Sequence, residues 1–182
     1  MNELVDKFIK DYKSGQLRTT HFLIIFLHCF TGLFFWASYK TRAIPIDTLK
    51  EIISSYNFLL PIVLIGLFFR KLRNVKFYLI WLVIGLVQLI IYQLAVDNPD
   101  FTFPRGTAFD GLVALLPTLI MFQLMRQIFY SIKRKEMIIS IRQFRMTFYE
   151  EEDKRNMTWT EVLFSILLML TAIFSGTIFL NP

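Results

Sequence analysis

The chain predicts an all-α polytopic membrane protein: a bundle of about five transmembrane helices with short amphipathic segments on the cytoplasmic side. Two observations carry this. The first is a set of five uncharged apolar runs, at His21–Tyr39, Ser54–Phe69, Phe77–Val96, Gly111–Met125 and Val162–Leu180. A helix rises about 1.5 Å per residue, so roughly 20 apolar residues cover the ~30 Å hydrocarbon core of a bilayer. The second is composition. At 55% hydrophobic and 19% charged, with 20 Phe among its 182 residues, the chain is too apolar for a water-soluble domain of this size.

The elements follow in order. Residues 3–13 place Leu4, Val5, Phe8, Ile9 and Tyr12 on one helical face, opposite Glu3, Asp6, Lys7, Lys10 and Lys13. This predicts a short amphipathic helix at the cytoplasmic surface. Ser14-Gly15-Gln16 breaks it, and the first span covers about 21–39. That run is too long for the core of a cleavable signal, so it is expected to remain as a span. Pro45-Ile46-Asp47 stops the chain, and Thr48-x-x-Glu51 has the spacing of a capping box, so the second helix is expected to begin near Thr48 and span about 54–69. Arg70 to Lys76 forms a tight turn into the third span, about 77–96, making spans two and three antiparallel neighbours.

Turn chemistry fills the next loop, at Asn98-Pro99-Asp100 and Pro104-Arg105-Gly106, and Thr107 with Asp110 again resembles a cap. The fourth span covers about 108–126. The second and fourth runs are short, which leaves a hairpin that re-enters the membrane as an alternative at either. Residues 127–157 form a cytoplasmic segment. Within it, 133–149 reads as an interfacial helix, with Met137, Ile141, Phe144 and Phe148 on one face; a β-hairpin is the competing reading. Thr158-x-x-Glu161 is a third capping box and opens the last span, about 160–180, with Trp159 at interface depth.

Charge sets the expected orientation, because Lys and Arg are enriched on the cytoplasmic side of spans. With the N-terminus inside, sixteen of the 20 Lys and Arg residues face the cytoplasm, and only Lys40, Arg42, Lys50 and Arg105 lie outside. The C-terminus then falls outside. The net charge of +6 is therefore a membrane signature rather than a nucleic-acid one. The single cysteine, Cys29, forms no intrachain disulfide. The bias toward Ile, Phe and Lys suits an AT-rich bacterial genome and an inner-membrane location.

Polar residues inside apolar runs are the natural candidates for function, because an unsatisfied polar group in hydrocarbon costs several kcal/mol. His21 and His28, seven apart, share a face of the first span. With no acidic residue on that span, a metal or haem site is not expected. His21 reads as an interface residue and His28 as a hydrogen-bonding group between helices. Gln88 and Tyr92 share a face of the third span with Gly85. They read as helix–helix adhesion or, together with Gln93 and Gln123, as a polar path. Asp110 and Arg126 bracket the fourth span and mark the two interfaces, Arg126 extending toward the headgroups. Lys133, Arg134, Lys135, Arg142 and Arg145 form a basic strip suited to anionic lipid headgroups or a protein partner. Pro61 and Pro117 sit mid-span, where a missing N–H bends a helix. Asn156-Met157-Thr158 matches a glycosylation acceptor but falls on the cytoplasmic side.

No His-Glu-x-x-His, Gly-x-Ser-x-Gly, phosphate-cradling glycine loop or Cys/His ligand cluster is present, so neither catalysis nor a cofactor or metal is expected. The five-span layout, N-terminus in and C-terminus out, is similar to that of Yip1-type membrane proteins. Size and layout also resemble small multi-span accessory proteins encoded beside bacterial defence systems, including type VI CRISPR loci. The likeness is one of architecture and transfers no site residue. With no catalytic motif and a basic, amphipathic cytoplasmic face available for docking, the expected function is that of a non-catalytic accessory or scaffold protein, acting through self-assembly or a protein partner, in a setting such as a bacterial defence or envelope system. The alternative is an oligomeric channel or small transporter with its path along spans three and four.

Overall fold

The computed structural model describes residues 17–104, 106–137 and 158–175. Within them lie five α-helices: α1 (Thr19–Thr41), α2 (Ile46–Leu72), α3 (Val75–Ala95), α4 (Leu112–Lys133) and α5 (Trp159–Ser175). A single 3₁₀ turn, Pro99–Phe101, follows α3, and an isolated antiparallel bridge joins Thr102 to Thr107. The protein is an all-α membrane bundle. Helices α1 to α4 are each long and apolar enough to cross a bilayer. The 17-residue α5 is apolar but shorter, and the remainder of the expected fifth span, 176–180, lies outside the described residues. So do the expected amphipathic helix at 3–13 and most of the 133–149 segment.

Two expectations need correction. Neither α2 nor α4 is a re-entrant hairpin; both are continuous helices, running through Pro61 and Pro117. In addition, α2 starts at Ile46 with Pro45 as its N-cap, so Thr48 and Glu51 form no capping box. Proline fits here because it has no N–H and its φ is preset for a helix start. Asp47 in the first turn favours the positive helix end and pairs with Lys50 at 2.7 Å. At the other two sites the acidic side chain bonds back to its threonine. Glu161 accepts from the Thr158 backbone N–H (2.9 Å) and hydroxyl (3.0 Å), opening α5. Asp110 accepts the same pair of bonds from Thr107, at 2.7 and 2.9 Å, but closes a tight turn just ahead of α4 rather than the helix itself.

Helix direction alternates along the bundle. At one end, the Lys71 ammonium donates to Thr20 Oγ1 (3.1 Å), His21 packs on Phe77 with centroids 4.7 Å apart, and Phe129 meets Phe164. This end carries the start of α1, the α2–α3 turn, the end of α4 and the start of α5; it is the basic end. At the other, Tyr39 packs on Phe101 at 5.0 Å. Helix α4 is central and packs most extensively on α3 and α5. The main core joins Leu64, Ile65 and Phe69 of α2, Phe77 and Trp81 of α3, Leu115, Leu119 and Phe122 of α4, and Leu168 of α5. In lipid, where tails are as apolar as these side chains, dispersion at close approach holds such a core together more than water exclusion does.

Helix α1 is peripheral. Phe22, Leu23, Phe26, Leu27, Phe30, Leu33 and Trp36 are each more than half exposed. An apolar surface of this extent is untenable in water and ordinary against acyl chains.

Candidate functional site

The polar residues inside the bundle fall into three separate places. The first lies under α1. His28 stands about 14 Å along α1 from its start. Its Nδ1 lies 2.6 Å from the Tyr56 hydroxyl of α2, and its Nε2 lies 3.4 Å from Gln88 Nε2 of α3. The ring nitrogen that carries the proton sets the direction of both bonds. The imidazole also stacks on Tyr56 (13° between planes) and tilts against Trp81 at 5.2 Å. Phe35 closes the group with its edge on Tyr56, at 5.5 Å. One side chain thus fastens the outermost helix to two others.

The residues expected along a polar path differ in burial. Gln88 is 4% exposed and faces His28, whereas Tyr92 is half-buried one turn on and Gln93 is exposed. Gln123 sits half-buried on α4, and its buried Oε1 meets no protein partner. The intramembrane hydroxyls turn back onto their own helices: Thr31 donates to Leu27 O, Thr118 to Ala114 O, Ser165 to Glu161 O and Thr171 to Leu167 O.

The second place is the loop end. Asp110 is 6% exposed and engaged by Thr107, so it shapes the turn just ahead of α4. That turn inserts deeply. Asn57, roughly three turns into α2 and about 16 Å from its start, donates Nδ2–H to Ala108 O at 3.2 Å. Gly111 follows, and a Cβ there would lie 2.8 Å from the Asn57 carbonyl carbon and from the Phe58 nitrogen. Only a glycine lets α4 begin this close to α2. Leu49, Ile53, Phe101 and Ala108 bury the inserted loop, and Asp100 ties it to α1, accepting from Tyr39 OH (2.9 Å) and pairing with Arg42 (3.4 Å).

The third place is the basic end. Arg126 corrects the expectation that it reaches the headgroups. Its guanidinium is 7% exposed and turns inward, donating to both Glu136 carboxylate oxygens (2.9 and 3.1 Å) and to Arg73 O (3.4 Å). Arg73 in turn donates to Met137 O. The chain returns because Arg134 ends α4 in the left-handed conformation (φ 53°), its N–H donating to Tyr130 O. Lys133, Arg134 and Lys135 are exposed on this rim; Arg142 and Arg145 lie outside the described residues. His21 also sits at this end, its Nδ1 accepting from the Arg18 backbone N–H at 2.8 Å.

Four participants escape a sequence reading: Tyr56, Asn57, Trp81 and Glu136. A polar residue within the second apolar run signals Asn57, and the seven-residue spacing to Gln88 signals Trp81. Nothing local points to Glu136, whose role depends on the chain reversing at Arg134. Among the described residues, no three His, Cys, Asp or Glu side chains converge as metal ligands would. No protein-family model, no curated protein and no solved structure matches the chain.

Proposed function

We propose that this protein is a non-catalytic membrane accessory or scaffold subunit that acts through self-assembly or a protein partner. The proposed setting is a bacterial inner membrane, with the basic end in the cytoplasm and the C-terminus outside. The observation that carries the reading is the engagement of the intramembrane polar groups with one another. His28 joins α1, α2 and α3, Asn57 holds the inserted loop, and Arg126 closes on Glu136. Side chains used in this way hold helices together and leave little to line a conduit. Orientation follows from charge: Arg70, Lys71, Arg73, Lys76, Lys133, Arg134 and Lys135 gather at one end, as expected for a cytoplasmic face. The same rim suits anionic headgroups and an acidic partner surface.

A photocrosslinking residue at Lys135, compared with one at Lys40 at the opposite end, tests this in native membranes. The expected result is a discrete protein adduct, or a dimer of this chain, at Lys135 and none at Lys40. Lipid adducts alone at both positions would contradict the proposal. The second reading, an oligomeric pore, draws on the unpartnered amide oxygens of Gln88 and Gln123 on α3 and α4. It requires several copies, and ion flux decides it.

A further inference from the structure

The exposed apolar face of α1 is continuous with a cationic corner at the basic end. Helix α1 has 23 residues and is about 34 Å long, close to the ~30 Å hydrocarbon core, so in a bilayer its first residues stand at headgroup level. There the Lys71 ammonium of α2 donates to the Thr20 hydroxyl at 3.1 Å, in an exposed position. The hydroxyl accepts this bond and keeps its own proton for a further acceptor. Arg18, also exposed, lies two residues before Thr20 and puts a second cation within a side chain's length of it. Leu23, Leu27 and Phe30, each more than half exposed, follow Thr20 at helical spacing along one face.

We propose that this corner binds one anionic phospholipid, its phosphate among Arg18, Thr20 and Lys71 and an acyl chain along Leu23, Leu27 and Phe30. The two halves of the surface select this class together. A free anion makes no use of the apolar strip. An acidic peptide lying along that strip would carry its N–H and C=O groups into hydrocarbon, where no water meets them. A zwitterionic lipid has the phosphate too, but its ammonium would face two cations. Each cation beside an anionic headgroup is worth about fivefold in affinity. The site goes beyond the accessory reading and does not depend on it.

Native mass spectrometry of the full chain, released from nanodiscs of equal phosphatidylglycerol and phosphatidylcholine, tests the site. The expected result is a retained phosphatidylglycerol, favoured several-fold over phosphatidylcholine. Arg18→Gln with Lys71→Gln should abolish that preference, and the conservative Arg18→Lys with Lys71→Arg should keep it. Lys133→Gln with Lys135→Gln removes the same charge at the end of α4 and should leave it unchanged. The wild-type chain alone overturns the proposal if it retains both lipids equally, or if excess inorganic phosphate displaces the phosphatidylglycerol. A preference that survives Arg18→Gln with Lys71→Gln, or falls as far with the Lys133 and Lys135 pair, would also overturn it.

Discussion

Replacing Gly111 by alanine probes the close approach of the start of α4 to α2. The added Cβ would meet the Asn57 carbonyl carbon and the Phe58 nitrogen at 2.8 Å, and Asn57 Cβ at 2.9 Å. Ordinary contact begins near 3.4 Å, so the start of α4 must withdraw from α2 by about 0.6 Å. Two of the obstructing atoms are helix backbone, which cannot swing aside as a side chain end would. Withdrawal also stretches the adjoining bond from Asn57 Nδ2 to Ala108 O, already 3.2 Å long. Overpacking of this kind costs about 1–3 kcal/mol, and weakening a bond in lipid adds roughly 0.6 kcal/mol. The expected loss is therefore about 2–3 kcal/mol. Two internal controls exist. A Cβ at Gly85 would meet Leu116 at an ordinary 3.5 Å, and one at Gly32 would meet nothing within 4 Å. Both lie within helices, where alanine is favoured over glycine by about 1 kcal/mol in water. Reversible unfolding in mixed detergent–SDS micelles should rank Gly111→Ala far below wild type, with Gly85→Ala and Gly32→Ala at or above it. A Gly111→Ala protein as stable as Gly85→Ala would refute the inserted turn.

Other substitutions follow the same logic. His28→Ala removes two hydrogen bonds and the stacking on Tyr56, so unfolding free energy should fall by about 1–2 kcal/mol; an unchanged midpoint would count against the clasp. Arg126→Met leaves Glu136 without its bidentate partner, and because that carboxylate is about a third exposed the expected loss is about 2 kcal/mol. Hydrogen exchange should then speed up at the α2–α3 turn, and an undisturbed turn would argue against the knot. Glu161→Ala removes both bonds that Thr158 donates to its carboxylate, and faster exchange over the first turn of α5 is expected, worth about 1 kcal/mol; unaltered exchange there would contradict the cap.

Much of the fold is legible in the chain because a bilayer imposes a simple rule, apolar length against thickness. The five runs, the turn before Val75 and the Thr158–Glu161 cap all express local chemistry that a sequence displays directly. The site is less legible. His28 was readable as a group between helices, since a lone imidazole in lipid must find a partner. The identity of that partner was not: Tyr56 is 28 residues away on another helix, and only packing brings it to 2.6 Å. Arg126 was misread because snorkelling assumes a side chain with nothing else to reach. Reversal at Arg134 returns Glu136 to within 2.9 Å, and a buried bidentate pair forms instead of a headgroup contact. The burial of Asp110 was not legible for a related reason. Loop length says nothing of depth, and the Asn57–Gly111 approach draws the turn about 16 Å along α2.

The central claim, that intramembrane polar side chains hold helices together rather than line a path, is tested most directly by ion flux. Purified protein in liposomes is compared with empty liposomes and with Gln88→Leu, the unfolding midpoint of each protein being measured in parallel. The account predicts membranes as tight as the empty control and a Gln88→Leu protein that unfolds more readily. Flux well above the control that disappears in a stably folded Gln88→Leu protein would contradict it and move the polar face of α3 to the wall of a pore.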